Sequence, residues 1–245
     1  MERNYKLTVS YDGSRYYGWQ VQPGKKTIQG KLQDVLGVLC GKEVLVIGAG
    51  RTDAGVHARA MTANVHMDTD LSEAEIRDYL NRYLPEDIAV SEVKIASDRF
   101  HARYNALTKT YRYTCFCGPV KSVFDRKYLL RLDAVPDVER MRRAAALLLG
   151  EHDFKSFCGN SHFKKSTVRR LDAIDIRLRR DYLTITCTGT GFLQNMVRIR
   201  TGTLLEIGFG KREPEEIPAI LAALDRTAAG YTVPPQGLCL IKVDY

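Results

Sequence analysis

The sequence predicts an α+β protein of two similar halves, each a mostly antiparallel sheet with helices packed on one face. Strand-like runs of alternating apolar residues arrive in groups instead of in strict strand-helix alternation, which disfavours a parallel sheet. The same kinds of element recur in a similar order in the second half of the chain. The 245 residues, 44% apolar and 27% charged, are also enough to bury a sizeable core without disulfide or metal staples. No low-complexity linker marks a boundary. The expected division falls near Tyr104, giving domains 1–104 and 105–245.

The first half opens with a strand in which Tyr5, Leu7, Val9 and Tyr11 alternate with polar residues, closed by the turn-forming Asp12-Gly13-Ser14. Thr27 is an N-cap before Ile28, Leu32, Val35, Leu36 and Leu39, which share one helical face, and Gly41 is a suitable stop. Val44 to Ile47 reads as a buried strand, and Met61, Ala63, Val65 and Met67 alternate as another. Ser72-Glu73-Ala74-Glu75 has the spacing of a capping box, opening a helix that Pro85 ends. Ile88 to Ile95 returns as a strand. In the second half come a strand over Thr108 to Cys117, a helix from Asp137 to Leu149, and a hairpin from Ile174 to Cys187 that turns near Arg179 to Asp181. Helical stretches at Leu193 to Ile207 and Pro214 to Leu224 and a last strand at Leu238 to Val243 complete it.

Lys plus Arg outnumber Asp plus Glu by 37 to 29, a net charge of +8 that favours an anionic partner such as nucleic acid. The N-terminal residues lack a signal-peptide h-region, and no apolar run nears the roughly 20 residues that cross a bilayer, so a cytoplasmic protein without membrane contact is expected. The six cysteines form no Cys-x-x-Cys pair, and no two histidines have metal-ligand spacing. Reduced thiols and no metal site are therefore expected.

Gly48 to His57 is a glycine-rich stretch that follows a strand, which raises the question of a phosphate cradle. Asp53 stands where a dinucleotide fingerprint needs glycine, and the Gly-Lys-Ser/Thr of a P-loop is absent. Two readings of the residues remain. One is a tight turn whose Asp bonds its own backbone. The other is a reactive carboxylate in a loop that a substrate can approach closely, with Arg51 and His57 nearby.

Gly50-Arg51-Thr52-Asp53-Ala54-Gly55-Val56-His57-Ala58 resembles the signature of the tRNA pseudouridine synthase A family, and four further blocks resemble that family in the same order. They are Tyr11 to Ser14 with Gly18 to Gln22, Phe100 to Arg103 with Lys109 to Tyr113, Gly150 to Phe154 with Ser156 to Cys158, and Phe192 to Arg198. The resemblance implies conversion of uridine to pseudouridine at positions 38, 39 and 40 of the tRNA anticodon stem-loop, without a cofactor, by a homodimer. It further implies that Asp53 is the catalytic nucleophile, Tyr111 the active-site tyrosine at the uracil, Arg198 the arginine that pairs with the aspartate, and Arg51 the residue at the base-flipping position. With them, His57, Arg103 and Lys109 are expected RNA contacts.

Physical chemistry is consistent with each role. An ionised carboxylate is a nucleophile, a planar guanidinium can hold it in that state, and a tyrosine offers both a stacking face and a hydroxyl. Bland readings stand beside them: a strand tyrosine is usually core, and a lone arginine on an amphipathic helix usually faces solvent. Basic residues near the motifs, including Arg51, Arg103, Lys109, Arg112, Arg198 and Arg200, with Lys164-Lys165 and Arg169-Arg170, are expected to line an RNA-binding active-site cleft between the halves. Two segments depart from the family pattern, Tyr128 to Arg131 and Val233 to Leu238; both are expected to affect packing, and with it the pocket wall and details of RNA contact, rather than the chemistry. A catalytically silent RNA-binding module and an unrelated aspartate-dependent hydrolase or nucleotide-binding enzyme are the competing readings.

Overall fold

The computed structural model describes residues 1–160, 162 and 164–245. The chain divides into two compact units, Met1–Leu107 with Cys239–Tyr245, and Thr108–Leu238.

In the first unit, β1 (Arg3–Tyr11) leads through a 3-10 turn to α1 (Ile28–Cys40), then β2 (Val46–Gly48), β3 (His57–Met67), α2 (Glu73–Tyr83) and β4 (Ile88–Ala96). β1 is central, antiparallel to β3 on one side and to β4 on the other. The second edge of β3 is shared: β2 pairs antiparallel at Val46 to Gly48, and β10 (Leu238–Asp244) pairs parallel at Cys239 and Leu240. The local signals act as the sequence predicts. Thr27 Oγ1 accepts the Gly30 N–H and Gly41 adopts the left-handed conformation at the end of α1, while Ser72 and Glu75 form the reciprocal capping box of α2. Tyr5, Leu7 and Val9 of β1 and Ile76 and Leu80 of α2 are sealed in one core.

The opposite face of β1 is polar in sequence; Lys6, Thr8 and Ser10 on it are half-buried, and it is covered at Asn4. Asn4 and Asn64 are buried; Asn64 Nδ2 donates to Asn4 Oδ1 at 3.0 Å and Asn4 Nδ2 donates to the Ser97 and Phe100 carbonyls. Asn64 Oδ1 takes the Ala102 N–H at 2.9 Å, so every strong polar group of the pair has a partner. Tyr245 closes the same face, its hydroxyl donating to Ala102 O at 2.7 Å and its ring lying under the Lys6 ammonium.

In the second unit, β5 (Thr108–Phe116) is followed by β6 (Leu130–Arg131), α3 (Val138–Ala146), β7 (Gly150–Asp153), β8 (Val168–Arg179), β9 (Tyr182–Gly189), α4 (Met196–Gly208) and α5 (Ile217–Ala223). Its sheet runs β5-β9-β8-β7, all antiparallel, with β6 parallel on β5. The α+β class and the mostly antiparallel sheets agree with the sequence reading. Several boundaries move. α3 stops at Ala146, three residues early, and a turn leads to Gly150 at φ 92°. α4 starts only at Met196 because Asn195 is left-handed, at φ 59°, and cannot continue a helix backwards. Pro214–Glu216 is a 3-10 turn before α5, whose second residue, Pro218, has no N–H to bond and fits only at a helix start.

α4 differs most from expectation. Eleven of its thirteen residues, Arg200 and two threonines among them, are buried and Arg198 and Glu206 are half-buried, so it lacks the exposed polar face of an amphipathic surface helix. Arg200, expected among the phosphate-binding cations, is fully buried on it.

Candidate active site

Asp53 lies in the loop joining β2 to β3, and its neighbours are anchored on both sides. Thr52 is buried, with Oγ1 2.9 Å from the Tyr11 hydroxyl and its carbonyl accepting the Trp19 N–H at 3.1 Å. Beyond it, the Asp53 carbonyl takes the Val56 N–H at 3.2 Å, with Gly55 at φ 78°, and Gly55 N–H donates to Tyr16 O at 3.3 Å. The loop is thus a tight turn. Asp53 itself is half-buried and Arg51 is exposed.

The N-terminal block forms the wall of this loop, and its glycines have steric reasons. A Cβ on Gly13 would stand 2.0 Å from Val56 O. One on Gly18, at φ +89°, would stand 2.5 Å from Thr52 O, and one on Gly48 would meet the Trp19 ring at 2.5 Å. His57 is buried with Nδ1 3.1 Å from both the Gly13 N and Asp12 Oδ1; that nitrogen can accept from the first or donate to the second, not both. Asp12 Oδ1 also accepts the Ser14 N–H and hydroxyl, so His57 ties β3 to the turn after β1. Arg103 is exposed in the same unit, on a turn whose His101 Nδ1 accepts the Arg103 N–H at 3.2 Å.

The second unit gathers Tyr111, Lys109 and Arg198. Tyr111 is 7% exposed on β5, opposite Cys187 of β9, with the Phe192 ring edge-on at 5.1 Å. Lys109 is half-buried two residues before it, on the same face of the strand. Arg198 is half-buried and oriented by main chain far away in sequence. Its Nε donates to Val233 O at 2.8 Å and its Nη1 to Asn195 Oδ1 at 3.0 Å. Tyr113, fully buried, donates to Pro234 O at 2.7 Å, and a Cβ on Gly237 would stand 2.6 Å from its ring. Burial holds the Tyr113 phenol well above its ordinary pKa, with the Arg198 charge pulling the other way. Val233 O thus holds the Arg198 side chain from a segment whose departure from the family pattern is expected to affect packing. Gly159 brings the third block onto the fourth: its N–H donates to Gln194 O at 2.8 Å, and a Cβ there would meet Asn195 Nδ2 at 2.6 Å.

A family model described as tRNA pseudouridine synthase matches residues 7–105 and 144–245. This chain belongs to the tRNA pseudouridine synthase family. Proteins named tRNA pseudouridine synthase A are 45% identical over 244 residues in Geobacter sp. strain M21, covering 99% of both chains, and 45% identical over 229 residues in Bacillus sp. strain KSM-64, covering 93% of this chain and 94% of the relative. The one from Syntrophotalea carbinolica is 42% identical over 240 residues, 98% of this chain and 95% of its own length. Among the residues expected at the site, Arg51, Asp53, His57 and Arg103 fall in the first matched segment and Arg198 in the second. Lys109 and Tyr111 fall between the two. Among the described residues no group of three or more His, Cys, Asp or Glu is placed to hold a metal, and no helix is long and apolar enough to cross a membrane.

Charge on the synthase surface is partly neutralised at short range. Arg170 pairs with Asp172 at 2.8 Å and Arg177 with Asp175 at 2.6 Å along β8. The six cysteines are free, and burial pushes the Cys115 and Cys117 thiols up, away from the thiolate form a nucleophile needs.

Proposed function

We propose that this member of the tRNA pseudouridine synthase family isomerises uridine to pseudouridine at positions 38, 39 and 40 of the tRNA anticodon stem-loop, with Asp53 as nucleophile. The observation that carries the proposal is the Asp53 loop: a carboxylate on a turn whose flanking residues are pinned by Tyr11, Trp19 and Tyr16. Preorganisation of that kind serves a reacting group better than a solvent-exposed turn.

The reaction breaks the N1–C1′ bond, turns the uracil and joins C5 to C1′; the C5 proton is lost and N1 ends protonated. Nothing is gained or lost in sum, so no cofactor enters the proposal. Tyr111 would present its ring and hydroxyl to the extruded uracil, and Arg198, held by the Val233 and Asn195 oxygens, would serve the aspartate as its guanidinium partner. Arg51, exposed two residues before Asp53, would take the place of the flipped base. Arg103 and Lys109 would contact the phosphate backbone, and His57 would hold the loop. A cytoplasmic homodimer belongs to the same proposal, with light scattering as the check on the mass.

The test is pseudouridine mapping by carbodiimide and reverse transcription on unmodified tRNA, with no cofactor added. Wild type yields product at positions 38 to 40, and Asp53→Asn binds tRNA without product. Binding by both proteins with product from neither would overturn the enzyme in favour of an RNA-binding module.

A further inference from the structure

Tyr17 stands between two residues seated on the Asp53 loop. Tyr16 O accepts the Gly55 N–H, and the Gly18 backbone is pressed against Thr52 O, which accepts the next N–H, that of Trp19. Yet Tyr17 points outward, 51% exposed, with the Lys25 ammonium 4.4 Å from its ring centroid. The segment that returns Lys25 to it is exposed along its length and held by hydrogen bonds. Tyr17 N–H donates to Lys26 O at 2.9 Å, Gln22 Nε2 to Tyr17 O at 2.8 Å, Lys25 N–H to Gln22 O at 3.1 Å and Val21 N–H to Gln29 Oε1 at 2.9 Å. No Asp or Glu occurs between Asp12 and Asp34, so nothing within the segment neutralises its lysines.

We propose that Tyr17, Lys25 and Lys26 form an RNA contact surface that takes the strand flanking the target uridine. The inference rests on the reading of Asp53 as the catalytic group, because its loop is what fixes the surface. A half-exposed aromatic ring with an ammonium against it and a second lysine beside it has the makings of a single-strand contact: a ring for a base or ribose, cations for phosphates. A membrane or an acidic peptide would match the cations but gives no reason for the aromatic ring set at a fixed place beside the Asp53 loop. RNA accounts for both.

The experiment measures tRNA affinity as a function of KCl, together with kcat and KM for pseudouridine formation, using the full chain and unmodified tRNA. Lys25→Gln/Lys26→Gln lowers affinity about tenfold at low salt and reduces the slope of log K against log salt by about 1 to 2, as loss of two phosphate contacts requires. Tyr17→Ala raises KM about tenfold while Tyr17→Phe does not, because the ring and not the hydroxyl makes the contact. Unchanged affinity and salt slope in the lysine variant, with an active wild type, would overturn the surface. So would a variant that changes the mass by light scattering and not the tRNA affinity, which would make the patch a contact between copies. If wild type forms no pseudouridine while the lysine variant still loses salt slope, the surface stands and the catalytic reading falls.

Discussion

The Tyr11 hydroxyl lies 2.9 Å from Thr52 Oγ1, joining the end of the central strand β1 to the residue before Asp53. Both side chains are buried, so removing one partner leaves a hydroxyl without access to water. Tyr11→Phe is expected to cost about 1 to 2 kcal/mol of stability by urea denaturation. It is also expected to lower kcat about tenfold with little change in tRNA affinity, because the loop that carries the carboxylate loosens while the binding surface stays.

Gly18 and Gly41 both have positive φ but differ in surroundings. A Cβ on Gly18 would meet Thr52 O at 2.5 Å, whereas nothing lies within 4 Å of one on Gly41. Both alanine variants lose about 1 kcal/mol from backbone strain. Only Gly18→Ala must also push the Asp53 loop away, so it alone is expected to lose turnover in the pseudouridine assay. Equal activity of the two would show that the loop tolerates the shift.

Arg200 is fully buried on α4, and its Nε, Nη1 and Nη2 have no hydrogen-bond partner among the described residues. Removing a guanidinium from water without compensation costs free energy that an apolar side chain of similar length does not incur. Arg200→Met is expected to raise stability by about 1 to 4 kcal/mol, seen as a higher urea midpoint at unchanged m-value. A lower midpoint would mean that the charge is balanced in solution.

Burial pushes the Tyr245 phenol up to about 12. The folded protein thus holds this proton more tightly than the unfolded chain, whose tyrosines ionise near about 10. The contribution is fully present below pH 10 and is lost as pH rises from about 10 to 12. Tyr245→Phe removes the bond to Ala102 O and should flatten that part of the stability-pH curve, measured by denaturant titration against wild type.

The elements that the sequence predicts correctly rest on interactions within about one helical turn or on strict period-2 alternation. Thr27 and Gly41 bound α1, the Ser72 and Glu75 capping box starts α2, and Tyr5 to Tyr11 form a strand, because each signal acts between residues close in the chain. The Asp53 loop was legible as a motif for the same reason. Its wall was not: the steric need for glycine at Gly13 and Gly18 comes from backbone about forty and thirty-five residues later.

The sequence by itself determined the α+β class, the caps, and the family through its ordered blocks. Tertiary structure alone decided that Asn4 on the polar face of β1 is buried against Asn64, that Cys239 and Leu240 pair with β3, and that Val233 O accepts from Arg198. It also decided that α4, with Arg200 on it, is buried except at the half-buried Arg198 and Glu206. The physical reason is common to these. Whether a side chain is covered depends on segments tens to nearly two hundred residues away, and the entropy of closing such loops rises too slowly with length for any local pattern to mark which pair will meet.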